Sequence, residues 1–176
     1  MRRHRPGRTL RRLLKAPTVL YDWHLGWLLG HRFLRLTHIG RRSGRVYQTV
    51  LEVVGRNPAE NEFIVVAGLG RSAHWYQNLQ VHEGVEVAIA REHFAPIHRE
   101  LPTPEAVTVL AAYERSNRWL APLVQRALSW LVGWRYDGSA SARCRLAAEL
   151  PLIALRPTRP GDRRELPEQA VDEEVR

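Results

Sequence analysis

The chain has 176 residues and a mass of 20.3 kDa, enough for one domain whose core needs neither metal nor disulfide. A hydrophobic fraction of 44% beside 26% charged residues excludes disorder for the bulk of the chain, and the single cysteine, Cys144, excludes an intramolecular disulfide and a Cys-rich zinc site. The net charge is +9, of which residues 1–15 hold +7, while residues 161–176 hold −3. We therefore expect a flexible basic arm over 1–15, one domain over 16–160 and a disordered acidic tail over 161–176. Nearly all the basic residues are arginine. Arginine suits anionic partners, yet its use also follows genomic base composition, so the count points only weakly to such a partner.

Residues 10–31 read as helical, broken or restarted at Pro17. Their Trp- and Leu-rich stretch is too short to span a membrane, which takes about 20 apolar residues. It can pack on the domain, or lie on a membrane surface behind the basic arm. Arg11 and Arg12 are not followed by the apolar core and small-residue cleavage site of an export signal, so a cytoplasmic protein is expected. The lone cysteine agrees with a reducing compartment.

Short β patterns follow. Phe33–Ile39 and Val46–Val54 form a hairpin around the turn 40–44, and Glu62–Ala67 is a third strand. Residues 55–61 and 68–72 are connections. A short helix covers 73–81, and strands cover 85–90 and 95–101 with a turn at 91–93. Helices then run from Thr103 to about Leu120, from Pro122 to Trp134 and from Ser141 to Glu149. Leu152–Leu155 is a closing strand. Strands precede helices and hairpins dominate, so the class is α+β with an antiparallel sheet or small barrel. The stripe Trp119, Val124, Leu128, Leu131, Tyr136 suggests a helical lid over the barrel, able to cover a lipophilic substrate.

Three segments carry candidate chemistry. Gly40-Arg41-Arg42-Ser43-Gly44-Arg45 puts arginine forks and a serine around a glycine-bounded turn, a place for an anion, although solvation alone explains most basic turns. Ala67-Gly68-Leu69-Gly70 follows a buried strand, where glycines allow close approach of a ligand. His74-Trp75-Tyr76-Gln77-Asn78-Leu79 can stack on a planar ring or simply pack in the core. The P-loop, dinucleotide and GxSxG patterns are missing. The spacings His24/His31 and His93/His98 do not make a metal site, so no metal is expected. Cys144 reads as a buried, inert thiol. No RNA-binding signature accompanies the basic arm, so nucleic acid is not an expected partner.

In this order and spacing, the GRRSG turn, the second strand, the VVAG segment and the WYxNL helix resemble the deazaflavin-dependent nitroreductase family. The likeness covers about residues 33–101 and the closing strand LPLIALRP. It implies a split β-barrel, the coenzyme F420 rather than FMN, and an oxidoreductase passing a hydride from reduced F420 to an electron-poor acceptor: a quinone, a nitro compound or an activated double bond. By the same likeness Arg41, Arg42, Ser43 and Gly44 would hold the coenzyme's phosphate and acidic tail. Thr49, Val50 and Leu51 would lie along the ring, with Ala67, Gly68 and Leu69 lining it and Trp75 and Asn78 on the adjoining helix. Val50 stands where the family commonly has proline. Tyr136 is the candidate proton donor for the acceptor, with water as the alternative. A non-catalytic F420- or flavin-binding barrel is the second reading. Peripheral membrane contact would run through the N-terminal region, and no oligomeric state follows from the pattern.

Overall fold

The computed structural model describes residues 31–159 and Asp162. The expected basic arm, N-terminal helix and acidic tail lie outside these residues, apart from the ends at His31 and Asp162. Seven strands form one antiparallel sheet: β1 (Phe33–Ile39), β2 (Val46–Asn57), β3 (Glu62–Val66), β4 (Glu86–Ile89), β5 (Glu92–Phe94), β6 (Pro96–Glu100) and β7 (Leu152–Pro157). The helices are α1 (His74–Leu79), α2 (Thr103–Ser116), α3 (Ala121–Val132) and α4 (Ala140–Glu149). The strand order is β5-β4-β1-β2-β3-β7-β6. Edge strands β5 and β6 are joined through Ala95 alone, so the sheet curls until its two edges meet. Phe94 of β5 stacks on Phe63 of β3, with ring centroids 6.0 Å apart across the interior. The result is an α+β, nearly closed, split β-barrel.

Side-chain alternation makes two cores. Leu34 and Leu36, Phe63 and Val65, Val87 and Ile89, and Ile153 and Leu155 point into the barrel, where α1 plugs one region with Trp75, Tyr76 and Leu79. The intervening residues Ile64, Leu152 and Ala154 point outward under α2 and α4, with Leu110, Leu146 and Tyr136. Strands β3 and β7 are thus covered on both faces, which accounts for their unbroken apolar runs.

The structure differs from expectation in four places. Strand β2 continues past Gly55, which is no turn. The β2–β3 register shifts between Val53 and Gly55, and a Cβ on Gly55 would lie 2.7 Å from Val109 Cγ1 of α2. Glycine is there for a bulge and a close helix. Second, β5 occupies the expected turn, pairing with β4 as Ile89↔Glu92 and Val87↔Phe94. Third, α3 is not a lid over the barrel. Leu128 packs on the outer core, but Trp119 is 75% and Leu131 39% exposed. Cys144 is exposed as well: α4 buries Ala142 and Leu146, and Cys144 lies on the opposite side of the helix.

Gly70 fixes the loop after β3. Its φ is +60°, and a Cβ would lie 2.8 Å from the Glu149 carbonyl oxygen. Gly70→Ala should lower unfolding free energy by about 1–3 kcal/mol, from left-handed strain and a backbone clash together. Urea denaturation with unchanged m measures it.

Candidate functional site

The hairpin β1–β2 sets the site. The turn closes with Gly40 N–H donating to the Arg45 carbonyl at 2.8 Å, and Gly44 N–H donating to the Gly40 carbonyl at 2.8 Å. Gly44 has φ +63° with open space where a Cβ would project, so the turn surface is bare backbone there. Arg42, Ser43, Gly44 and Arg45 are exposed. Neither Arg42 nor Arg45 forms an ion pair with a described residue.

Arg41 behaves differently from Arg42. Its backbone N–H and Nη1 both donate to Asn78 Oδ1, at 3.2 and 3.1 Å. Asn78, on α1, is buried. With Oδ1 accepting, its Nδ2 is the donor toward His38 Nδ1 at 3.0 Å. His38 therefore carries its proton on Nε2 and donates to Thr49 Oγ1 at 3.1 Å. Thr49 is left with a hydroxyl proton to give. Burial holds the His38 pKa below its ordinary value. The neighbours agree with this direction, because a second ring proton would face the Asn78 amide donor. Tyr47 completes the group: its ring stacks on His38 with centroids 6.0 Å apart, and its hydroxyl lies 3.2 Å from Ser43 Oγ.

Strand β2 pairs with β1 along Val46–Glu52 but with β3 only along Val53–Asn57. Over Val46–Glu52 its other edge has no strand neighbour among the described residues. Such an edge offers unpaired backbone donors and acceptors. The chain after β3 leaves where the strands part: Ala67 N–H donates to the Pro151 carbonyl at 2.9 Å, and Gly70 N–H turns back to the Ala67 carbonyl at 2.7 Å. The arginine turn stands at one end of the open edge and the glycine loop near the other. The span from Val46 to Leu51 is on the order of 17 Å.

The structure sorts the sequence candidates. Arg42, Ser43, Gly44 and Leu69 are exposed, while Arg41, Thr49, Val50 and Gly68 are half-buried. Leu51, Ala67, Trp75 and Asn78 are buried. Leu51, Ala67 and Trp75 face the barrel core, so Trp75 packs instead of presenting a ring to a ligand. Val50 points to the opposite face of β2 from Thr49 and Leu51, since alternate residues change sides. Tyr136 is the clear correction. It is 2% exposed, lies in the outer core across the sheet from the barrel interior, and donates its hydroxyl proton to Glu114. Burial, then Glu114, pushes its pKa up, which opposes proton release. His38 and Tyr47, which complete the bonded group behind the turn, were not among the sequence candidates. The signal for His38 was the inward series Leu34, Leu36, His38, which ends in a polar residue next to the turn. Among the described residues no cluster of His, Cys, Asp or Glu could hold a metal.

A family profile described as "F420H(2)-dependent quinone reductase" matches residues 24–118, more than half of the chain. The chain belongs to that family. It is an F420-dependent reductase, an oxidoreductase working by hydride transfer with coenzyme F420. No curated protein matches it. Among solved structures it is similar to an F420-H2 dependent reductase, FDR-A, at 18% identity over 72% of this chain and 96% of that one, with a TM-score of 0.41. It is also similar to a pyridoxamine 5′-phosphate oxidase-related, FMN-binding protein from Nostoc punctiforme at 12% identity over 81% and 80%, with a TM-score of 0.45. At such identities and scores both likenesses are loose, and the family match alone carries the assignment. The residues present fit the coenzyme: free guanidiniums and bare backbone suit its anions, and an open strand edge with a donor hydroxyl suits a planar ring bearing polar atoms.

In this family member the His38 bonds predict a pH response. The folded-state pKa lies below the ordinary 6.5. Between these two values the unfolded chain binds more protons, so stability falls as pH drops through that window. Wild type should lose thermal midpoint relative to His38→Gln between pH 7.5 and 5.5, read by calorimetry at matched ionic strength. Asn78→Leu should cost about 1–3 kcal/mol at neutral pH, since it strands the buried His38 nitrogen and frees Arg41.

Proposed function

We propose that reduced F420 binds along the open edge of β2, and that the physiological acceptor is a quinone or a similarly electron-poor small molecule. The observation that carries this is the free edge of β2 over Val46–Glu52, paired with β1 on one side only among the described residues, and bounded by exposed Arg42 and Arg45 at one end and half-exposed Gly68 at the other. Bound and reduced, the coenzyme supplies the hydride.

The chain's own residues bind, orient and exclude. Arg42 and Arg45 clamp the anionic tail through charge-assisted hydrogen bonds. Ser43 and the Tyr47 hydroxyl give further donors beside them. Arg41 is a positioning residue, since its bonds to Asn78 hold the turn against α1. Thr49 gives its free proton to a ring acceptor, and the neutral His38 behind it keeps that hydroxyl oriented. Leu69, 61% exposed, covers one side of the seat and excludes water from the reacting face. Tyr136 is walled off from this seat, so the acceptor takes its proton from solvent. The family's quinone reductase activity favours quinones over nitro compounds or activated double bonds, since this chain belongs to that family.

Anaerobic assays with F420H2 and a short-chain quinone test the reading. Wild type should turn over. Arg42→Ala/Arg45→Ala should raise KM for F420H2 about tenfold or more, with kcat within about twofold, as expected for lost charge-assisted bonds made equally in ground and transition states. Tight F420 binding without turnover on quinone, nitro or enone acceptors would leave a coenzyme-binding barrel and remove the reductase mechanism. No binding of F420 would remove the seat itself.

A further inference from the structure

Helix α3 is apolar on two sides. The turn Arg118–Leu120 runs into it with Ala121 in helical conformation, φ −49° and ψ −47°, so residues 118–132 follow one helical path. Leu128 and Val132, four residues apart, pack against the outer core. The other side carries Leu123, Ala127, Trp130 and Leu131, the i, i+4, i+7, i+8 spacing of a single face, with Trp119 one turn earlier. Trp119 is 75% exposed, Leu123 65%, Trp130 51% and Leu131 39%. An ordinary surface helix turns charge outward. This one presents two tryptophans and two leucines along about 18 Å of axis.

Charge selects the partner. From Arg115 to Tyr136 there is no acidic residue, and there are four arginines: Arg115, Arg118, Arg126 and Arg135. All four are exposed, and none is in an ion pair with a described residue. The nearest acid in sequence before them, Glu114, is committed to Arg143 at 2.7 Å and to Tyr136. A second copy of this face would set arginine against arginine across a two-fold axis. Tryptophan and leucine flanked by arginine suit the headgroup region of an anionic bilayer, where rings sit at the interface and guanidiniums meet phosphates. We propose that the outer face of α3, with Trp119, docks on an anionic lipid surface. This surface is separate from the β2 edge, so the proposal stands or falls independently of the coenzyme seat.

The test uses the full chain carrying Cys144→Ser, which removes the exposed native thiol, and Leu123→Cys labelled with a nitrobenzoxadiazole probe. Vesicles of phosphatidylcholine with phosphatidylglycerol should shift the probe to the blue and raise its emission. Pure phosphatidylcholine should do so weakly, and added salt should reduce the response. Trp130→Asp in the labelled chain should weaken vesicle affinity about tenfold or more, while F420 titration stays unchanged and reports an intact fold. A silent probe on anionic vesicles overturns the proposal, even if the protein co-sediments through its basic arm. It is equally overturned if the probe is already blue in dilute protein, which means the chain covers this face itself. A shift with protein concentration alone, which means a second copy covers it, also overturns it.

Discussion

The carboxamide of Asn78 ties the arginine turn to the barrel. It accepts from the Arg41 backbone and guanidinium and donates to His38, and His38 donates to Thr49. Three elements, α1, β1 and β2, meet in these bonds. Each group is left with one compatible role, so the proton positions follow from the Arg41 backbone N–H, which can only donate. A buried polar chain of this kind is stabilising only when every member is satisfied. The consequence at the surface is a division of labour between neighbouring arginines: Arg41 is held inward, which leaves Arg42 and Arg45 on the exposed rim of a rigid turn.

The second constraint is the parting of β2 from β3. Strand β3 must run beside β7, whose Leu152 and Ala154 complete the outer core while Ile153 and Leu155 fill the barrel. Gly70 then lets the chain bend back under the Glu149 carbonyl. The bulge at Val53–Gly55 lets the far half of β2 follow β3, with α2 packed close on Gly55. The near half stays with β1 and keeps a free edge. Packing demands on the helical side thus leave open backbone on the other side, where we propose the coenzyme seat.

Much of this was legible in the sequence. Alternation marked β1, and continuous apolar runs marked β3 and β7, because burial on two faces leaves no room for polar residues. The GRRSG turn is local chemistry and was read directly. Strand β5 was hidden because its turn is Ala90-Arg91, with Ala90 at φ +50°. Alanine is not a usual choice for positive φ, so tertiary pairing overrides local preference there. Gly55 looked like a turn because a glycine gives the same signal for a bend, a bulge or a close helix. Tyr136 was the candidate proton donor, with water as the alternative, yet its pairing with Glu114 inside the outer core is a long-range contact that no spacing encodes. His38 and Thr49 were invisible as a pair for the same reason: their bond spans the hairpin. The stripe Trp119, Val124, Leu128, Leu131, Tyr136 suggested a lid over the barrel, because an apolar stripe does not announce what it covers or what covers it.

Amide hydrogen exchange over β2, with and without F420, tests the central claim most directly. The account predicts that amides of Val46–Glu52 facing away from β1 exchange fast in the free protein and slow on adding F420, while the alternate amides bonded to β1 stay slow in both. The amides of Val53–Asn57 that bond to β3 should stay slow in both. Protection by F420 that falls elsewhere and leaves Val46–Glu52 unchanged would contradict it.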